Sequence, residues 1–255
     1  MSHPLLLIRR VEKLKPGDRG YLQRYTVEPI TSHVMQKLRS RLMEAEPEEQ
    51  LRVYERFESV SASRRLASVV FESMAQVKLH KEVALTLVPM VRQPPASKGG
   101  LAHWTSQFID ESVSMPIEDS GPVRAIVANG SLSINFKPNN TIQYPRPAPS
   151  VIGSGNYYVP ESPNQEGFDS FIVDSGVLYI FRFTTMNWNE IKGELMDFFT
   201  QEMLQTLLQG KEWRFVFVVP PGAKVECPES SDDRMKTFWK KVKVFSAVFD
   251  PKKQG

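Results

Sequence analysis

The sequence predicts a mixed α/β layer domain, on three observations. Residues 64–79 carry Leu66, Val70, Phe71, Met74 and Ala75 on several sides of a helical wheel, and a helix apolar nearly all round is a buried one. Residues 167–184 read as two strands about a tight Asp174-Ser175-Gly176 turn, with Asp169 leading into the first. A helical pattern from Asn189 to about Gln209, ended by Gly210, then precedes the apolar strand Trp213–Val219. Helix, strands, helix, strand is the order these segments impose.

The rest of the chain is placed around that core. Pro29 and Thr31-Ser32 can start a helix with Val34, Leu38 and Leu42 at near-helical spacing. Pro47-Glu48-Glu49 opens another, with acidic residues where the helix dipole favours them and Leu51, Tyr54 and Phe57 on one face. Residues 1–60 are therefore expected as a helical N-terminal extension, and residues 61–255 as the α/β domain. Glu82 to Val91 alternates as a strand does, and a β-rich and loop segment is expected as an insertion at about 92–166. Within it, Ser131–Phe136 and Thr141–Tyr144 are strand-like around Pro138-Asn139-Asn140. Val242 to Phe249 gives the last strand, after a loop holding Cys227 and Pro228.

With 41% hydrophobic and 24% charged residues, the composition excludes wholesale disorder. The net charge of +3 does not by itself imply nucleic acid, but basic residues crowd both ends, such as Arg9, Arg10 and Lys13, and Lys240, Lys241 and Lys243. A solvated surface is the plainer reading of such runs. Cys227 is the sole cysteine, which rules out an internal disulfide and a thiolate metal cage. Leu5–Ile8 is too short for the core of a signal peptide, and no segment approaches the length of a membrane span. The expectation is an intracellular protein, cytoplasmic or nuclear, with no membrane partner.

Several segments together carry a family resemblance: 66–76 with Glu72, 85–91, Tyr158-Val159-Pro160, 168–172 with Asp169, the strand through Phe181-Arg182-Phe183-Thr184, and Trp213–Pro221. Over roughly residues 20–250 the chain resembles the restriction-endonuclease-like (PD-(D/E)xK) domain at the C-terminus of Crinkler and retrotransposon hot spot proteins, in the version found in mushroom-forming fungi. The resemblance implies a Mg²⁺-dependent phosphodiesterase fold. Carboxylates on the first helix and the paired strands hold the metal, and a lysine lies two residues beyond the last carboxylate. Such an ion neutralises phosphate charge and lowers the pKa of its bound water.

Position by position, the resemblance makes Glu72 the helix carboxylate and Asp169 the strand carboxylate, the two expected metal ligands. Arg182 falls where the second strand carboxylate belongs and Thr184 where the lysine belongs; the family often shows glutamine-x-threonine there. A guanidinium offers only donors, so Arg182 cannot ligate a cation and would repel one. Metal binding could persist on Glu72, Asp169 and backbone carbonyls. Lys192 or Lys78 could supply the missing cation, or Arg182 could itself face a phosphate, which its fork suits.

Plainer readings stand beside these. Glu72 can pair with Arg65 or Arg182, and Asp169 with Arg182, as structural ion pairs. Trp213, Phe215 and Phe217 read as core, the four histidines lack ligand spacing, and Gly153-Ser154-Gly155-Asn156 reads as a plain loop with no helix behind it to cradle phosphate. The expectation is a nuclease-derived nucleic-acid-binding or effector-like domain with a degenerate catalytic site. An active Mg²⁺-dependent nuclease, and a protein-interaction or regulatory module of a longer protein, are the alternatives. The partners implied are DNA, RNA or protein.

Overall fold

The computed structural model describes residues 6–10, 25–29, 32–95, 100–107, 130–145, 149, 151–161, 167–191, 193–199, 208–230 and 232–254. Strands β1 (Leu6–Arg10) and β2 (Tyr25–Pro29) pair antiparallel ahead of two helices, α1 (Ser32–Glu44) and α2 (Pro47–Glu58). Pro47 fits the start of α2 because a proline there sacrifices no helical hydrogen bond, and Glu48 and Glu49 complement the dipole. Helix α3 (Arg64–Lys81) is buried along most of its length, with Glu72, Ser73 and Gln76 as its buried polar members.

Five strands follow before the central hairpin. They are β3 (Val83–Pro89), β4 (Val91–Gln93), β5 (His103–Thr105), β6 (Leu132–Phe136) and β7 (Thr141–Tyr144). Strand β8 (Tyr157–Pro160) leads to the hairpin of β9 (Ser170–Asp174) and β10 (Val177–Phe183). Its turn residues Ser175 and Gly176 have φ of 48° and 81°, the paired left-handed conformation that lets a two-residue loop match strand twist. Then come α4 (Glu194–Phe199), β11 (Glu212–Val219), β12 (Glu226–Pro228), α5 (Asp233–Lys241) and β13 (Val242–Val248).

Eight strands form one mixed sheet in the order β6-β3-β13-β11-β10-β9-β8-β7, and β12-β5-β4 form a small second sheet. Within the large sheet β10, β11 and β13 run parallel, while β9 and β3 run against their neighbours. Strands β6 and β7 lie at opposite ends of that order, yet only residues 137–140 join them. A link of four residues spans at most about 14 Å, so the sheet curls until its edges approach. Phe136 of β6 accordingly meets Tyr179 and Phe181 of β10 edge-on, at 5.0 and 5.3 Å between ring centres.

Alternation along the strands feeds two cores. Phe171, Val173, Ile180, Phe215 and Phe217 meet Leu195, Phe198 and Phe199 of α4 and Phe238 of α5. On the concave side Ile172, Phe181, Val216 and Val218 meet Val70, Phe71 and Met74 of α3. Each fully buried side chain of this kind contributes roughly 1.5–3 kcal/mol, which is what pins the hairpin and α3 to one another.

The mixed α/β class expected from the sequence is the class observed. The extension differs from the expectation, because β1 and β2 precede its helices. Within segment 92–166, β6 and β7 supply both edges of the large sheet. The stretch before β13 contains α5, where a loop was expected; its short apolar stripe of Met235 and Phe238 was masked by lysines. No helix among the described residues is long and apolar enough to cross a membrane.

Candidate functional site

The hairpin ladder runs from Asp174↔Val177 to Ser170↔Phe181, and one step beyond it Asp169 stands opposite Arg182. The Asp169 N–H donates to the Phe181 carbonyl at 2.9 Å, and the Phe183 N–H donates to Asp169 Oδ2 at 2.7 Å. The carboxylate thus takes the place of a backbone acceptor and extends the ladder by one rung. Arg182 Nη1 lies 3.8 Å from the other oxygen, Oδ1.

Glu72 reaches the same region from α3. Its two oxygens accept a fork from Arg39 of α1, with Nη1 and Nη2 both at 2.8 Å, and Gln76 Nε2 approaches Oε1 at 3.4 Å. Burial pushes the Glu72 carboxyl up to about 8, with the charge of Asp169 adding to the rise and Arg39 and Arg182 opposing it. Asp169 is pushed up by burial too, against Arg182, the Phe183 N–H and Arg39. Two buried carboxyls and two guanidiniums therefore form one coupled group that holds a proton more tightly than carboxyls in water.

A cavity of about 310 Å³ opens onto this group. Arg39 and Ser40 of α1, Glu72 and Gln76 of α3, Gln143 of β7, Glu161 just after β8, and Asp169 supply its polar lining. Helix α1 roofs it. Lys37 and Arg41, next in sequence to the lining residues Gln36 and Ser40, are exposed on the same helix.

The donor set does not fit Mg²⁺. That ion demands oxygen ligands at about 2.0–2.1 Å in near-octahedral array. Here all four carboxylate oxygens face N–H donors, namely the two Arg39 prongs, Arg182 and the Phe183 amide. A cation at the pair would also meet two positive charges at contact range.

Three of the residues singled out by the sequence therefore converge: Glu72, Asp169 and Arg182. Thr184 does not join them. It is buried, its N–H donates to the Val218 carbonyl at 3.0 Å, and its Oγ1 accepts the Met186 N–H at 3.0 Å, so it ends a strand and shapes the following loop. Lys78 is not among the residues lining the cavity, and Lys192 lies outside the described residues. The pairing of Asp169 with Arg182 is as read, but the fork on Glu72 comes from Arg39 and not from Arg65, which is exposed.

Arg39 is the residue that sequence reasoning missed. Its only signal is a position beside the Val34, Leu38, Leu42 stripe, where a guanidinium is carried towards whatever the stripe packs on. Gln143 and Glu161 gave no signal, because the pairing of β7 with β8 and of β8 with β9 brings them in.

Other candidates fall away among the described residues. Burial pushes the Cys227 thiol up to about 12, leaving no thiolate at neutral pH. No group of three or more His, Cys, Asp or Glu could hold a metal. The Gly155 N–H is used by the Val173 carbonyl at 2.8 Å, so it does not face a phosphate. Lys236, Lys243, Lys252 and Lys253 pair with surface carboxylates. No protein-family model, curated protein or solved structure matches the chain.

Proposed function

We propose that this chain is a nuclease-derived domain of the restriction-endonuclease-like type that binds nucleic acid without cleaving it. One observation carries the reading: the helix carboxylate and the strand carboxylate share one cavity, and each is held by an arginine. The order α3, β9–β10 hairpin, α4, β11 supports the fold part of the proposal. Two like charges are costly to bury together, and local packing gives no reason to bring them there. Descent from a site that held a cation does. With both carboxylates neutralised internally, the ingredients of metal-assisted hydrolysis are missing, and what remains is a polar cavity roofed by a helix with exposed Lys37 and Arg41. Such a surface suits phosphate as a set of point charges.

The test is fluorescence anisotropy with labelled single- and double-stranded DNA and RNA, followed by incubation with Mg²⁺. Binding whose affinity falls steeply with salt, and strands left intact, are expected. Absence of salt-dependent binding overturns the nucleic-acid part. Mg²⁺-dependent cleavage that Glu72→Ala and Asp169→Ala abolish without unfolding overturns the non-cleaving part.

A further inference from the structure

The cavity beside Glu72 and Asp169 receives polar side chains from three elements. On α1, Gln36, Arg39, Ser40 and Met43 line it, at the three- and four-residue spacing of one helical face. A helix normally turns apolar residues inward, yet three of these four are polar. On the sheet, the β7–β8 register sets Gln143 beside Val159, and Glu161, two residues on, joins them in the lining. Gln76 of α3 closes the third side. Hydrogen bonding is unevenly spread over this lining. Arg39 is its one cation among the described residues, and both Nη atoms are taken by Glu72. No free positive charge is left inside for a phosphate or a carboxylate. The side chains of Gln36, Gln143 and Glu161 make no hydrogen bond or ion pair among the described residues, so their acceptors are unspent. Met43, Val159 and Phe168 supply apolar wall between them. At about 310 Å³ the space lies at the small end of ligand cavities; it holds one heterocycle and excludes a duplex.

We propose that this cavity takes up one unpaired nucleobase carrying an exocyclic amine, while the phosphates of its strand stay outside, towards Lys37 and Arg41. The inference rests on the reading above that the chain binds nucleic acid, and it names what the site takes from the strand. Three features select such a ligand. A base has two apolar faces for Met43, Val159 and Phe168, and a polar edge for the amides. It is uncharged, as a cavity without a free cation requires. Its amine donates, and Glu161 and Gln143 accept in the pattern by which carboxylates take cytosine N4–H and glutamines take adenine. A base stacked and paired in a duplex cannot reach them, so the substrate is single-stranded or has the base extruded.

The experiment measures anisotropy of labelled short strands of abasic sites with the full chain. The strands are identical except at the centre, which holds no base, one uracil or one cytosine. The number of phosphates is constant, so any difference reports the base alone. The cytosine strand should bind about tenfold tighter than the abasic one. It should also bind several-fold tighter than the uracil strand, whose C4 oxygen accepts where the amine donates. Added salt should weaken all three in parallel. Gln143 and Glu161 are exposed at the rim, so Gln143→Leu and Glu161→Leu leave the core intact. Each should shrink the cytosine-to-abasic ratio about threefold or more, and together they should bring it close to one. Equal affinity for the three strands overturns the inference and leaves the binding reading standing. So does a ratio that survives the double variant, which would place the base elsewhere, as on the exposed Trp188. Uracil and cytosine bound alike overturn the choice of an amine-bearing base. If no strand binds in a salt-dependent way, the reading above falls and takes this inference with it.

Discussion

Two charge clusters, one on the large sheet and one between it and the helices α1 and α3, are built from similar groups and behave in opposite ways. In the first, Glu212 of β11 accepts from Arg214 Nε at 2.6 Å and Lys243 Nζ at 3.0 Å. Register places it: Tyr179, Arg214 and Lys243 are direct neighbours across β10, β11 and β13. Arg214 also donates to Tyr179 Oη at 3.2 Å and lies over the rings of Tyr179 and Phe245. Its hydrogen bonds hold the Glu212 carboxyl below its ordinary value, the Arg214 bond first among them. In the second cluster Glu72 has an ideal arginine fork and is nevertheless pushed up, because burial and a second carboxyl outweigh it. An arginine partner does not decide the sign. Solvent access and the number of like charges do. One cluster fastens a sheet, whereas the other gathers two carboxyls and two guanidiniums about one buried cavity.

The sharpest way to break the contrast is at Asp169. Replacing it with alanine strands the buried Phe183 N–H and leaves Arg182 facing a lost partner, so Asp169→Ala should cost about 3 kcal/mol in urea unfolding. An effect below about 0.5 kcal/mol, the size of an ordinary surface change, would mean that Asp169 is not the rung that extends the hairpin.

Glu72 separates the clusters by pH. Its carboxyl is raised from 4.5 to about 8 in the folded protein, so its contribution is full below the lower value and is lost as pH rises through the upper one. Stability of the unaltered protein should therefore decline between about pH 5 and pH 9. Glu72→Gln should flatten that limb whatever its absolute stability. A slope identical in both proteins would show that Glu72 is ionised throughout and that the fork dominates burial.

Much of this is legible in the sequence, and the pattern of what is not is physical. Periodicity located α3, the hairpin and β11, because each buries a long run of side chains and its pattern is local. Glu72 stood out as a carboxylate in an apolar helix, and Arg182 as a charge late in an apolar strand. Arg39 did not, since nothing local marks a partner thirty-three residues away that only packing of α1 on α3 brings near. The same holds for Gln143 and Glu161, which depend on how β7, β8 and β9 pair. Helix α5 was missed because its apolar stripe is short and the lysines around it read as a tail.

Glu212 gives the smallest expected effect and the cleanest control. Its carboxyl is lowered, so its contribution is present above its ordinary value and is lost as pH falls through the lowered one. That puts its limb on the acid side, opposite to that of Glu72. The pair with Lys243 is largely exposed, while Arg214 is packed against two rings that stay in place when the carboxylate goes. Glu212→Gln should therefore cost only about 1 kcal/mol at neutral pH, less in high salt, and leave the alkaline limb untouched. Loss of the alkaline limb in this variant would mean that the two clusters are coupled through β10 and β11, and that the buried carboxyl is not set by its own surroundings alone.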